Sequence, residues 1–172
     1  MKKMLVLVML SGMLLGTSCP GSAPALTCAN NLDATKFGFT MTIPQNFACD
    51  QQLPTYLLPA SIKAVVLYAD TTKTWALEVI VLTAPSPGQS TDVGTGTVCG
   101  DQIAYTTAGG IEFAIKHCTT TLNGNVAYSY TAATDVSAGA NLLGIYISSA
   151  TDDAAMLTAL ESIIETVVRT GA

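Results

Sequence analysis

IEFAIKHCTTTLNGNVAYSYTAAT, residues 111–134, contains two runs rich in β-branched and aromatic residues on either side of Asn123-Gly124. Asn-Gly between such runs favours a type I′ turn, because both central residues of that turn need positive φ. The register that this turn imposes sets His117 opposite Tyr130. The stretch therefore predicts an antiparallel hairpin, and the rest of the fold can be worked out from it.

The sequence around this hairpin predicts further strands and one helix. Runs of strand-forming residues occur at 37–43, 63–70, 75–83, 101–107 and 142–150. Near the end of the chain, within 152–170, apolar residues recur at helical spacing, namely Met156, Leu160, Ile163, Ile164 and Val167. We expect an α+β fold with a largely antiparallel β-sheet of about six strands and a C-terminal helix packed on one face.

The N-terminus has the features of an export signal. Two lysines precede a short apolar run, Met4–Leu15, which is shorter than the ~20 residues that a spanning helix needs. The following LLGTSC, residues 14–19, resembles the lipobox at which bacterial lipoproteins are cut and acylated on cysteine, with Gly16 as a departure from the usual leucine. We expect a signal peptide at 1–18, a tether at 19–35 and a single domain at 36–172. Ordinary secretion with cleavage after Ala25 is the alternative.

Charge narrows the kinds of partner. Loss of Lys2 and Lys3 with the signal would leave five basic residues against twelve acidic ones, a net charge of −7. The remaining basic residues are scattered and form no stripe, which argues against nucleic acid and against anionic lipid surfaces. Attachment to a membrane would therefore depend on the acyl group at Cys19.

Five cysteines in an exported chain leave one without a partner. With Cys19 used for lipid, the other four suggest two disulfides. A turn at Ala108-Gly109 would set Cys99 opposite Cys118 and Ile103 opposite Ala114, which favours Cys99–Cys118 and leaves Cys28–Cys49 by elimination. Other pairings and free thiols remain open. The spacing is not that of a zinc site, so no metal is expected.

The search for catalytic residues finds no constellation. His117 is the single histidine, and it shares its face of the hairpin with Tyr128 and Tyr130. These three are weak candidates for a pocket, with His117 as a general base, whereas a partly buried structural histidine is the favoured interpretation. No serine lies in a G-x-S-x-G elbow, and no phosphate-binding loop is present. Asp152 and Asp153 are interpreted as acids at the helix N-terminus.

Three stretches resemble the PsbP-like α/β/α sandwich family, which includes the extrinsic photosystem II subunit and many bacterial envelope lipoproteins. They are GFTMTIPQNF (38–47), VAYSYTAAT (126–134) and LLGIYISSATDDAAMLTALESIIETVV (142–168). The resemblance spans most of residues 37–168. It implies an antiparallel sheet between helices and a non-catalytic role in binding or assembly.

The sequence thus favours an exported, lipid-anchored protein of the bacterial envelope, in the periplasm or at the cell surface, that binds or scaffolds an envelope protein. It is not expected to be an enzyme or to need a cofactor. A small secreted hydrolase that uses His117 and a soluble secreted interaction protein cut after Ala25 are the alternatives. The Pro/Gly/Ser/Thr-rich segment 84–97 is either a functional loop or, as favoured, a mobile one.

Overall fold

A computed structural model describes residues 26–52, 61–83, 96–136 and 141–170. The expected signal peptide, Cys19 and most of the 84–97 segment lie outside these ranges. The elements are β1 (Asn31–Ala34), β2 (Phe39–Thr42), β3 (Phe47–Gln52), β4 (Ile62–Asp70), β5 (Ala76–Thr83), β6 (Thr97–Cys99), β7 (Ile103–Thr106), β8 (Glu112–Leu122), β9 (Asn125–Asp135), β10 (Asn141–Ser149), α1 (Ala155–Ile164) and β11 (Val168–Arg169). A short 3₁₀ turn, Thr35–Phe37, joins β1 to β2. In the described ranges, no helix has the length and apolarity needed to cross a membrane.

The strands form two antiparallel sheets. The larger has eight strands, in the order β3-β4-β5-β10-β9-β8-β6, with β7 also paired to β8. The smaller has the order β1-β2-β11. The α+β class and the antiparallel sheet are confirmed, but the expectation of about six strands was wrong, since the described residues contain eleven. The strands that the sequence did not predict, β1, β3, β6 and β11, are only two to six residues long.

The Asn-Gly hairpin forms in the predicted register. His117 pairs with Tyr130, and Leu122 pairs with Asn125 next to the turn. Asn123 and Gly124 have φ values of 51° and 80°, the conformation that a type I′ turn requires. The local sequence was sufficient to fix this pairing.

The hairpin of β7 and β8 departs from the predicted register. Cys99 does face Cys118, but Ile103 pairs with Ile115 instead of Ala114. Between these pairs, residues 100–102 lie opposite only two residues of β8, so the strand contains one extra residue, as in a β-bulge. The extra residue reverses the faces of β7, and Tyr105 therefore lies on the same side of the sheet as Phe113.

The C-terminal helix is shorter than its sequence pattern suggested. It ends at Ile164, and Val168–Arg169 then pairs with β2 as strand β11. The apolar stripe was predicted correctly, because Met156, Leu160, Ile163 and Ile164 are all buried. At its N-terminus, Asp153 Oδ1 accepts a hydrogen bond from the Ala155 N–H.

The main core lies between the eight-stranded sheet on one side and the helix with the small sheet on the other. It includes Leu77, Val79 and Ile145 of the large sheet, Phe39 and Met41 of the small sheet, and Leu160 of the helix. The packing also includes Leu26, Leu32 and Ala34, which are at most 2% exposed. The core therefore extends into residues that the sequence analysis assigned to the tether.

Candidate functional site

One end of the large sheet extends beyond the helix. Helix α1 contacts β9 and β10, whereas β6 and the Asn-Gly end of β8 and β9 lie to its side. Side chains there point to the helix side of the sheet, yet Val98 is 74% exposed and Val126 is 39% exposed. We call this surface the open face and define it by Val98, His117, Thr119, Thr121, Val126, Tyr128 and Tyr130.

Strand register explains why these residues share one face. Directly paired residues of antiparallel strands point the same way, and every second residue along a strand does so too. Val98 pairs with Thr119, which pairs in turn with Tyr128. His117 pairs with Tyr130 in the neighbouring row. The three pocket candidates from the sequence, His117, Tyr128 and Tyr130, are therefore adjacent on the surface.

The centre of the open face is a cluster of His117, Tyr130 and Asp152. The rings of His117 and Tyr130 are stacked, with centroids 4.5 Å apart and planes inclined by 17°. His117 Nε2 lies 3.3 Å from Asp152 Oδ1, within ion-pair range when the histidine is protonated. The nitrogen is shielded from solvent, but no described group meets it with hydrogen-bond geometry. The Asp152 carboxylate therefore lies beside His117 Nε2 without forming a hydrogen bond to it.

The phenol of Tyr130 responds to the same carboxylate. Burial, together with the negative charge of Asp152, raises the pKa of Tyr130 above its ordinary value. Tyr130 therefore stays neutral across the physiological pH range. Its ring and hydroxyl are available as uncharged contact groups.

The sequence analysis did not connect Asp152 with His117. Asp152 and His117 are 35 positions apart in the sequence. Because Asp152 and Asp153 directly precede a helix, they were interpreted only as acids at its N-terminus. The chain brings them together because β10 crosses the sheet beside β9 and delivers residues 150–154 above the end of β8. Only knowledge of the strand order β10-β9-β8 could have revealed this contact.

The two disulfides are those favoured by the sequence, Cys28–Cys49 and Cys99–Cys118. Cys49 lies on β3, which forms one edge of the large sheet, and Cys99 lies on β6, which forms the other edge together with β7. The second disulfide lies under the open face, on the opposite side of the sheet from His117, because neighbouring residues of a strand point to opposite faces.

The far side of the large sheet carries a second ionisable group. Glu78 of β5 pairs with Leu67 on one side and Tyr146 on the other, close to a cluster that includes Val65 and Ile80. Burial raises the pKa of Glu78 to about 7, and burial and the Glu78 charge raise the pKa of Tyr146. The ionisation of Glu78 therefore affects the stability of the fold.

The site offers part of what a hydrolase needs. A carboxylate lies beside His117, but within the described part of the chain no serine hydroxyl is hydrogen-bonded to that histidine. In the same ranges, no group of three or more His, Cys, Asp or Glu residues is placed to hold a metal ion. The geometry thus presents a surface of aromatic, apolar and carboxylate groups.

Comparison with known proteins adds no relative. No family model matches this chain, and no curated protein matches its sequence.

Proposed function

We propose that this protein is exported, anchored to a membrane by an acyl group on Cys19, and acts without catalysis by binding an envelope protein through the open face. The periplasm or the cell surface is its proposed location. The observation that carries this proposal is the pairing of the cysteines. Both disulfides lie within the folded part, so Cys19 is the one cysteine of the chain that they leave out.

Three further observations support it. Stable disulfides are typical of oxidising compartments. The segment before Leu26 has the charged, apolar and small-residue parts of an export signal. The open face exposes Val98 and Val126 beside the half-buried side chains of Tyr128, Tyr130 and His117, and aromatic residues are enriched at protein-binding surfaces.

We also propose membership of the PsbP-like family. The motifs at 38–47, 126–134 and 142–168 favour it, and they coincide with β2, β9 and the β10–α1 unit. The family implies a sheet between helices, whereas the described residues contain one α-helix, on one face of the large sheet. Membership of this family would be consistent with the proposed non-catalytic role.

The intact mass of the exported protein tests the anchor. We expect the native chain to fractionate with membranes and to begin at an acylated Cys19. Cys19→Ser should move the protein to the soluble fraction without acylation. Cys28→Ser/Cys49→Ser is the matched control, because it removes cysteines but should leave acylation intact. A native N-terminus directly after Ala25, without a lipid mass, would contradict the proposal and establish the soluble secreted alternative.

A further inference from the structure

We infer that the open face recognises an apolar partner surface carrying one basic side chain, which pairs with Asp152 beside Tyr130. This inference rests on the proposed binding role and specifies the chemistry of the partner.

Two adjacent acids, Asp152 and Asp153, differ in how their negative charges are neutralised. Asp153 Oδ2 lies 3.7 Å from Lys73 Nζ, and that ammonium also lies 3.9 Å from the ring centroid of Trp75. The charged neighbour that the structure gives Asp152 is His117. The Asp152 side chain is 50% exposed. With His117 neutral, Asp152 thus presents an unmatched negative charge on an accessible surface.

Aromatic side chains lie near the Asp152 carboxylate. Tyr130 stacks on the His117 ring, whose Nε2 lies 3.3 Å from Asp152 Oδ1, and Tyr128 lies two residues along the same face. Aromatic rings attract cations through their π-electrons. A carboxylate next to tyrosine rings therefore favours an ammonium or guanidinium group over a neutral polar one.

The rest of the open face surrounds the cluster of His117, Tyr130 and Asp152. The rest of the open face consists of the exposed Val98 and Val126 and the hydroxyls of Thr119 and Thr121, with no further charge. A partner with several cations would find one carboxylate for them here. The chain as a whole carries a net charge of −5, which attracts a basic partner at long range. The surface therefore fits apolar contacts around a single cation.

The same geometry predicts how pH acts on recognition. The titratable and charged groups around Asp152 are His117 from β8, Tyr128 and Tyr130 from β9, Asp153 before α1, and Lys73 from the β4–β5 connection. Protonation of His117 would pair it with Asp152, and its positive charge would repel a cation. Binding should weaken as the pH falls.

An NMR titration tests the inference on the protein recovered after export, whichever N-terminus it carries. The probes are Nα-acetyl-lysine methylamide and its norleucine analogue, which has an apolar side chain without the ammonium. We expect the lysine probe to shift amides of β8, β9 and residues 150–154 at pH 8, with weaker binding at pH 5.5. The norleucine probe should have little effect.

Variants make the test specific. Asp152→Asn should weaken lysine-probe binding by about threefold to fivefold, as expected for an ion pair at an exposed carboxylate, whereas Asp153→Asn, the matched control, should leave it unchanged. His117→Gln should keep the binding and abolish its pH dependence.

Equal shifts with both probes would overturn the inference, as would equal losses in the two aspartate variants or no binding of either probe. The outcome is independent of the anchor, which the intact mass decides separately.

Discussion

At the scale of single residues, Glu78 couples the stability of the fold to pH. It lies on the far side of the large sheet between Leu67 and Tyr146, where no hydrogen bond from a described residue reaches its carboxyl. Gly144 makes room for this arrangement, because a Cβ there would lie 2.8 Å from both Ile80 Cγ2 and Tyr146 Cε2. An ionised carboxyl in this position costs free energy, which raises its pKa to about 7.

We therefore predict that Glu78 makes the protein less stable as the pH rises. The folded state holds the proton up to about pH 7, whereas the unfolded chain releases it near pH 4.5. The free energy of unfolding should fall across that window. Glu78→Gln should remove the effect and stabilise the protein at pH 8 by about 1–3 kcal/mol.

Urea unfolding with the disulfides intact, at pH 4.5, 6 and 8, measures this. Glu112→Gln is the control, because Glu112 is exposed on β8. A stability difference between Glu78→Gln and the native protein that does not change with pH would contradict the prediction.

At the scale of elements, the sequence predicted which segments form strands better than it predicted where each strand begins and ends. The Asn-Gly turn fixed β8 and β9, because its conformation leaves a single register. The sequence left open whether a bulge interrupts the chain at 100–102, since Gly100 permits an extra residue without requiring one. Likewise, Val168–Arg169 continues the helical pattern, and only the edge of β2 converts it into a strand. Contacts between distant segments decided each element that the sequence missed.

The bulge at 100–102 places Tyr105 where it contacts the C-terminal end of α1. It sets Tyr105 on the helix side, where its hydroxyl donates to Glu165 Oε1 at 2.6 Å, and the Ala108 N–H donates to Glu165 Oε2 at 2.9 Å. These bonds hold the β7–β8 turn against the helix. Both lower the pKa of Glu165. The pairing error in the sequence analysis therefore concerned the very residue that links these elements.

The Cys99–Cys118 disulfide should hold β6 on β8. Strand β6 has three residues, and the bond closes a loop with a sequence separation of 19. We predict that Cys99→Ala/Cys118→Ala lowers the free energy of unfolding by about 3 kcal/mol and removes the hydrogen-exchange protection of β6.

Hydrogen exchange should show the loss at β6 while β5 and β10, in the centre of the sheet, stay protected. Cys28→Ala/Cys49→Ala serves as the control and should leave β6 protected. Unchanged exchange at β6 in the first variant would show that backbone pairing alone holds this strand.

At the scale of the whole molecule, the Cys28–Cys49 disulfide and the open face lie at different ends of the large sheet. Cys28 is bonded to β3, one edge, and the open face lies at β6 and β8, near the other. The sequence predicted both disulfides and the grouping of His117 with Tyr128 and Tyr130. It could not place Asp152 beside them or separate the two ends, because both depend on the order of non-consecutive strands.

Both edges of the large sheet share a pattern. At one edge β3 contains Cys49, and at the other β6 contains Cys99. An irregularity with an aspartate lies beside each cysteine, Asp50 between Cys49 and Gln51 and Asp101 after Cys99. Bulges and charges oppose pairing with another sheet. We predict that reduction of both disulfides at 37 °C causes concentration-dependent association, whereas the oxidised protein stays monomeric.

Light scattering over a range of protein concentrations measures this association. Each single-disulfide variant, oxidised, should associate less than the fully reduced chain. A reduced chain that remains folded and monomeric would show that the bulges and aspartates protect the edges without the disulfides.

The disulfides at the two edges also tie correct assembly to the place where the chain folds. A copy retained in a reducing compartment would leave β3 and β6 without these bonds, whereas export to an oxidising compartment, as proposed, would close them at both ends of the sheet. If the chain is exported, the fastening of its outer strands therefore depends on the compartment that it reaches.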